Sequence, residues 1–145
     1  MAERKKDRKK KTILYVDDEQ WLMSGIVDSL SVDYKIQTAS SADEALALLE
    51  DTANRIDLIL LDIMMPTGSR IVDPNRGRTS GVGFTRLVLQ EMKLGIPVVC
   101  YSVVDDKEVA SELKKLGVAE IVPKSRPPSE LEKVIQRQLK RSERG

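Results

Sequence analysis

The chain has 145 residues, a length that fits one domain. With 41% hydrophobic residues but only 3% aromatic, its core must be built mainly from Leu, Ile and Val. No run of roughly 18 apolar residues offers a transmembrane helix, no histidine is present for His-based catalysis or an internal His relay, and the formal net charge of +1 conceals an asymmetry.

That asymmetry begins at the N-terminus. Residues 1–11, "MAERKKDRKKK", carry seven Lys or Arg against two acids, leaving 17 bases and 21 acids for the rest. A basic arm therefore precedes an acidic domain over 12–142. The arm is read as a flexible, solubilising tail; contact with nucleic acid or an anionic membrane is its sharper alternative. The apolar run after it, "ILYV", is too short for a signal peptide.

Apolar runs and amphipathic segments then alternate. "TILYV" (12–16) is a predicted strand, and "QWLMSGIVDSL" (20–30) a helix with apolar positions at Trp21, Leu22, Ile26, Val27 and Leu30. "YKIQTA" (34–39) is a short strand. Ser41 caps the next helix, with Glu44 three residues on completing a capping box. "IDLILLD" (56–62) is a strand, and "GFTRLVLQEMK" a helix ended by Gly95 and Pro97. "PVVCYS" (97–102) is a buried strand. Its Cys100, the single cysteine, reads as a core thiol in a reducing, cytoplasmic compartment. "DDKEVASELKKLG" (105–117) is a helix closed by Gly117, "AEIVP" (119–123) a last strand, and "PSELEKVIQRQLKRS" a final helix with Pro at its start.

Five strands alternating with five helices predict an α/β fold: a doubly wound parallel sheet with right-handed crossovers. The third and fourth strands are continuous apolar runs, as central parallel strands should be. The one long stretch without an element is 63–80, "IMMPTGSRIVDPNRGRTS". It is either a solvated surface loop or a lid or docking loop whose Arg70, Arg76 and Arg78 reach a phosphoryl group or an acidic partner.

Ligands of such sheets bind at the carboxyl ends of the strands. The first strand ends in Asp17, Asp18 and Glu19, the third in Asp62, the fourth in Ser102 and the fifth in Lys124. Taken singly, an acid there is ordinarily a cap or turn residue, a Ser a cap and a Lys a solvated charge. Turn chemistry does not readily explain all of them on four strands of five. Clustered carboxylates raise one another's pKa unless a cation intervenes, and an all-oxygen set suits Mg²⁺. With Lys124 as a second positive charge and Ser102 as a donor, the set can stabilise a transferring phosphoryl group, and Asp62 is the nucleophile.

The motifs "ILYVDDE", "DLILLDIMMP", "PVVCYS" and "GVAEIVPK" together resemble a two-component response-regulator receiver domain over about residues 12–140. The resemblance implies a flavodoxin-like sheet of order 2-1-3-4-5. It also implies that Asp62 is the phosphoacceptor, with Asp17, Asp18, Asp62 and the Met64 backbone carbonyl around Mg²⁺. Ser102 is then the switch hydroxyl, and Lys124 pairs with a phosphate oxygen. The phosphoryl donor is a histidine kinase or phosphotransfer protein, and output goes to a downstream protein partner. The chain is then a stand-alone receiver or a piece of a longer protein.

Four departures from the family accompany this. Ile121 stands where an aromatic switch residue is usual. Ser125 replaces the Pro after the Lys, so a cis bond would cost about 2.5–4 kcal/mol, and either a trans bond or a strained cis bond is expected. Val103 replaces a small residue and is expected to narrow access to the site. The loop after Asp62 is long: the family's following Gly is best matched by Gly81, nineteen residues on. Strand alternation turns Tyr101 away from the Ser102 side, so it is not expected to replace the missing aromatic. The competing reading is a receiver-like binding module that no longer cycles phosphate. A haloacid-dehalogenase-type phosphohydrolase would need an Asp where Met64 stands, and "DDEQW" offers no Gly-rich loop for a dinucleotide.

Overall fold

The computed structural model describes residues 10–18, 24–63, 80–103 and 107–144. Within them the chain runs β1 (Thr12–Val16), α1 (Ser24–Leu30), β2 (Lys35–Ala39), α2 (Ala42–Glu50), β3 (Leu58–Leu61), α3 (Ser80–Arg86), β4 (Val98–Ser102), α4 (Lys107–Leu116), β5 (Glu120–Pro123) and α5 (Pro128–Arg144). A π-helical turn, Leu87–Glu91, continues α3. The strands form one sheet in the order β2-β1-β3-β4-β5, and every pairing is parallel. The five helices are as the alternation of segments predicts, and the order is the one the resemblance implies.

Position in the sheet explains the composition of the strands. β1, β3 and β4 are buried at every residue, and each is apolar almost throughout. β2 and β5, the edge strands, carry Lys35 and Glu120 and are only partly covered. Alternation then divides the core into two layers. Leu14, Val16, Ile59, Leu61, Val98 and Cys100 face α2, α3 and α4 through Leu46, Phe84, Val88 and Leu113. Ile13, Tyr15, Leu58, Leu60, Val99, Tyr101 and Val122 face α1 and α5 through Leu30, Leu131, Val134, Ile135 and Leu139. Burying each such aliphatic side chain contributes about 1.5–3 kcal/mol.

Helix ends follow their signals, with two differences. The Ser41 hydroxyl accepts from the Glu44 N–H, as a cap should. The Glu44 carboxylate, however, reaches to Ser40, accepting from both its N–H and its hydroxyl. Ser40 offers two donors where a conventional box uses one, and these bonds hold the Glu44 carboxyl below its usual range. Gly117 (φ 107°) closes α4 in the left-handed region, where residues with a Cβ are strained. The third helix ends before Gly95, the expected stop: its last turn is capped at Met92, Lys93 (φ 51°) takes the left-handed position there, and Gly95 (φ 71°) lies two residues beyond. Residues 64–79, which include the long loop with Arg70, Arg76 and Arg78, lie outside the described residues, as do the basic arm through Lys9 and the predicted helical positions Trp21 and Leu22.

Candidate functional site

The sheet ladder extends beyond its strands and fixes the residues that follow them. The Asp17 N–H donates to the Ala39 carbonyl at 3.0 Å, the Asp62 N–H to the Val16 carbonyl at 2.9 Å and the Lys124 N–H to the Ser102 carbonyl at 3.0 Å. Three functional side chains are therefore anchored through their own backbone, on β1, β3 and β5. Asp17 and Asp62 continue the alternation of Tyr15 and Leu60, on the α1/α5 side. Ser102 continues that of Cys100, on the opposite side. The site thus straddles the carboxyl edge of the sheet and draws from both layers.

The side chains meet there. The Ser102 hydroxyl donates to Asp62 Oδ1 at 2.7 Å. Lys124 Nζ donates to Asp17 Oδ2 at 2.7 Å and to Asp62 Oδ2 at 3.4 Å. Asp17 is fully buried, Asp62 4% exposed and Ser102 3% exposed, whereas Asp18 is exposed. Each buried carboxylate therefore has a charged partner, which limits the cost of withdrawing it from water. Burial pushes the Lys124 ammonium down, but its bond to Asp17 and the charge of Asp62 outweigh that, so its pKa stands above the ordinary value. Nζ also lies 5.7 Å from the centroid of the Tyr101 ring.

Carboxylate oxygens of Asp17, Asp18 and Asp62 all lie within 4.8 Å of one another. Three acids with no nitrogen or sulfur donor among them form a set suited to a hard divalent cation, and the donor chemistry fits Mg²⁺. Met64 and Glu19 lie outside the described residues. Asp17, Asp18, Asp62, Ser102 and Lys124 are brought together at this edge of the sheet.

Tyr15 is a member that the sequence reading passed over. Its hydroxyl donates to Asp17 Oδ2 at 2.7 Å from a ring with no exposed surface. Burial, then the bond to Asp17, raise the phenol far above its ordinary range, so it remains a donor. The signal was available: one polar-tipped residue in an aliphatic strand, two positions before Asp17 and hence on its face.

The family departures resolve individually. No peptide bond among the described residues is cis, so the Lys124–Ser125 bond is trans. The Arg126 N–H closes a turn on the Pro123 carbonyl at 3.0 Å. Ile121 is partly buried against the α2–α4 layer, and Tyr101 faces the other layer, as alternation predicts. Val103 is 70% exposed.

Comparison with known proteins agrees with this geometry. The profile of the response regulator receiver domain matches residues 13–136. The chain is 30% identical over 140 residues to the probable transcriptional regulator ycf27 of Cyanidium caldarium, covering 96% of this chain and 50% of that protein. It is 26% identical over 131 residues to the two-component response regulator ARR10 of Arabidopsis thaliana, covering 90% of this chain and 21% of that one. The chain thus spans half or less of these relatives. Among solved structures, a CheY-like response regulator receiver domain protein from Methanospirillum hungatei superposes with a TM-score of 0.77 at 20% identity, over 93% of this chain and 98% of that chain. NtrX from Brucella abortus gives a TM-score of 0.74 at 29% identity, over 92% of this chain and 28% of its own. The chain belongs to the response regulator receiver domain family.

Proposed function

We propose that this receiver domain is a phosphorylation-dependent switch in which Asp62 accepts a phosphoryl group from a histidine kinase or phosphotransfer protein. One observation carries the reading: both oxygens of the buried Asp62 carboxylate face donors from the carboxyl ends of other strands, Ser102 of β4 on one and Lys124 after β5 on the other. A buried acid held in this way is ionised and oriented for attack. An Asp62 oxygen forms a bond to phosphorus as the P–N bond of the donor phosphohistidine breaks, and the electron pair returns to the imidazole nitrogen. The product is an acyl phosphate; attack of water on it returns the carboxylate and inorganic phosphate.

Asp17, Asp18, Asp62 and the Met64 carbonyl would hold Mg²⁺, which supplies charge neutralisation between the carboxylate and the incoming phosphoryl oxygens. The rest belongs to the chain itself. Lys124 transfers its donation to a phosphoryl oxygen, and the Ser102 hydroxyl turns from Asp62 Oδ1 to another. These contacts exist only in the phosphorylated state, so they shift the population of the β4–α4 connection. The change is read on the α4–β5–α5 face by a downstream partner. With Ile121 at the usual aromatic position, movement of an aromatic gate is not the means of transmission. The chain catalyses only its own phosphorylation and dephosphorylation. We assign it to the cytoplasm; among the described residues no helix is long and apolar enough to cross a membrane.

The test is intact mass after incubation with acetyl phosphate or phosphoramidate and Mg²⁺. A gain of one phosphoryl group, lost in Asp62→Asn, supports the switch. No gain in the wild-type chain favours a binding module that does not cycle phosphate.

A further inference from the structure

We propose that Tyr15 is a positioning residue for the cation site, acting through Asp17; this rests on the receiver reading above. The hydroxyl is not needed for packing. Its ring lies among Ile13, Leu58 and Leu60, in a layer that aliphatic side chains or Phe would fill equally well. A buried hydroxyl costs free energy unless it is bonded, and this one is bonded to the acid at the end of its own strand.

The consequence lies in the geometry of Asp17. Its Oδ2 accepts two hydrogen bonds at 2.7 Å, from Tyr15 on β1 and from Lys124 after β5. Donors arriving from two separate elements fix both rotation angles of the side chain. That sets the side on which the carboxylate meets Asp18 and Asp62, whose oxygens lie within 4.8 Å of its own. Partners of this kind, one step removed from the ligand atoms, commonly change metal affinity by 10- to 100-fold when removed.

Tyr15 has a second task. In the structure Lys124 favours Asp17 over Asp62, at 2.7 against 3.4 Å. Pairing with a phosphoryl oxygen on Asp62 draws the ammonium away from Asp17. Tyr15 cannot follow, because its ring is enclosed in the core. It therefore remains a donor to this fully buried carboxylate in both states.

Tyr15→Phe removes only the hydroxyl. Isothermal titration with Mg²⁺ should show a Kd about tenfold weaker, with the far-UV circular dichroism unchanged. In an Asp17→Asn background the same substitution should change the Kd by less than about twofold, because the coupled partner is gone. Replacing the hydroxyl by an amine, which still donates, should restore affinity. In the wild-type chain, independently of any variant, the Tyr15 ring resonances should shift along the same Mg²⁺ binding curve as calorimetry. A Tyr15→Phe Kd within about twofold of wild type, or Tyr15 resonances that ignore Mg²⁺, overturns the proposal and leaves the switch intact. A wild-type chain that takes up no Mg²⁺ overturns both.

Discussion

Lys124 is the ammonium that joins the two buried acids, so Lys124→Met, which keeps the stem and removes the charge, isolates its contribution. At an effective dielectric of about 20, contacts of 2.7 and 3.4 Å correspond to gross attractions of about 6 and 5 kcal/mol. Desolvation of all three groups offsets most of this. Removing one partner from a buried pair nevertheless costs about 3–5 kcal/mol, because the remaining charge stays in the core. Here Tyr15 still donates to Asp17 and Ser102 to Asp62, so the lower figure applies. For a chain of this size, about 3 kcal/mol lowers Tm by roughly 6–12 °C. The assay is thermal unfolding followed by circular dichroism, in EDTA and near neutral pH. Mg²⁺ should then raise the Tm of the variant more than that of the wild type, since a cation re-enters a site with a greater excess of negative charge. A variant within about 2 °C of wild type in EDTA would refute the view that the ammonium neutralises two buried acids.

Four further outcomes follow from the same structure. The Glu120 carboxyl is held below its ordinary value of 4.5, chiefly by its hydrogen bonds from Arg137. Its stabilising contribution is therefore complete above that value and is lost as pH falls through the lowered one; NMR titration should show the pKa move back up in Arg137→Ala. Gly117→Ala should cost about 1–2 kcal/mol in urea unfolding. The reason is strain at φ 107°, because the new Cβ would sit at an ordinary 3.7 Å from Leu89. Gly25→Ala, in α1 with nothing within 4 Å, should instead stabilise by about 0.5–1 kcal/mol. Burial pushes the Cys100 thiol up to about 12, so a thiol reagent should modify it only as fast as the chain unfolds.

Much of this protein is local in origin. Runs such as "LILL" and "VVCYS" are strands buried on both faces because no polar side chain interrupts them before their last residue. Alternation with amphipathic helices then leaves a parallel sheet as the arrangement that covers both sides. Asp17, Asp62, Ser102 and Lys124 were legible for the same reason: each follows or ends an apolar run, and strand ends on one edge of a parallel sheet come together. Helix ends were legible where a backbone conformation demands glycine, as at Gly117. The capping partner of Glu44 was not, since the choice between Ser40 and Ser41 depends on the exact path from β2 into α2.

What the sequence alone could not decide was the pairing of donors with acceptors across distant segments. Nothing local says that Lys124 lies nearer Asp17 than Asp62, or that the trans bond before Ser125 is accommodated by a turn from Pro123 to Arg126. Nor does the string "ILYV" by itself show that a tyrosine hydroxyl holds the carboxylate two residues on. Strand parity puts the two on one face, but the ring must first be enclosed by α1 and α5 before its hydroxyl is held against Asp17. Secondary structure follows from short-range periodicity. Hydrogen bonds between buried polar groups are chosen only once the layers have closed and water has been removed as the competing partner.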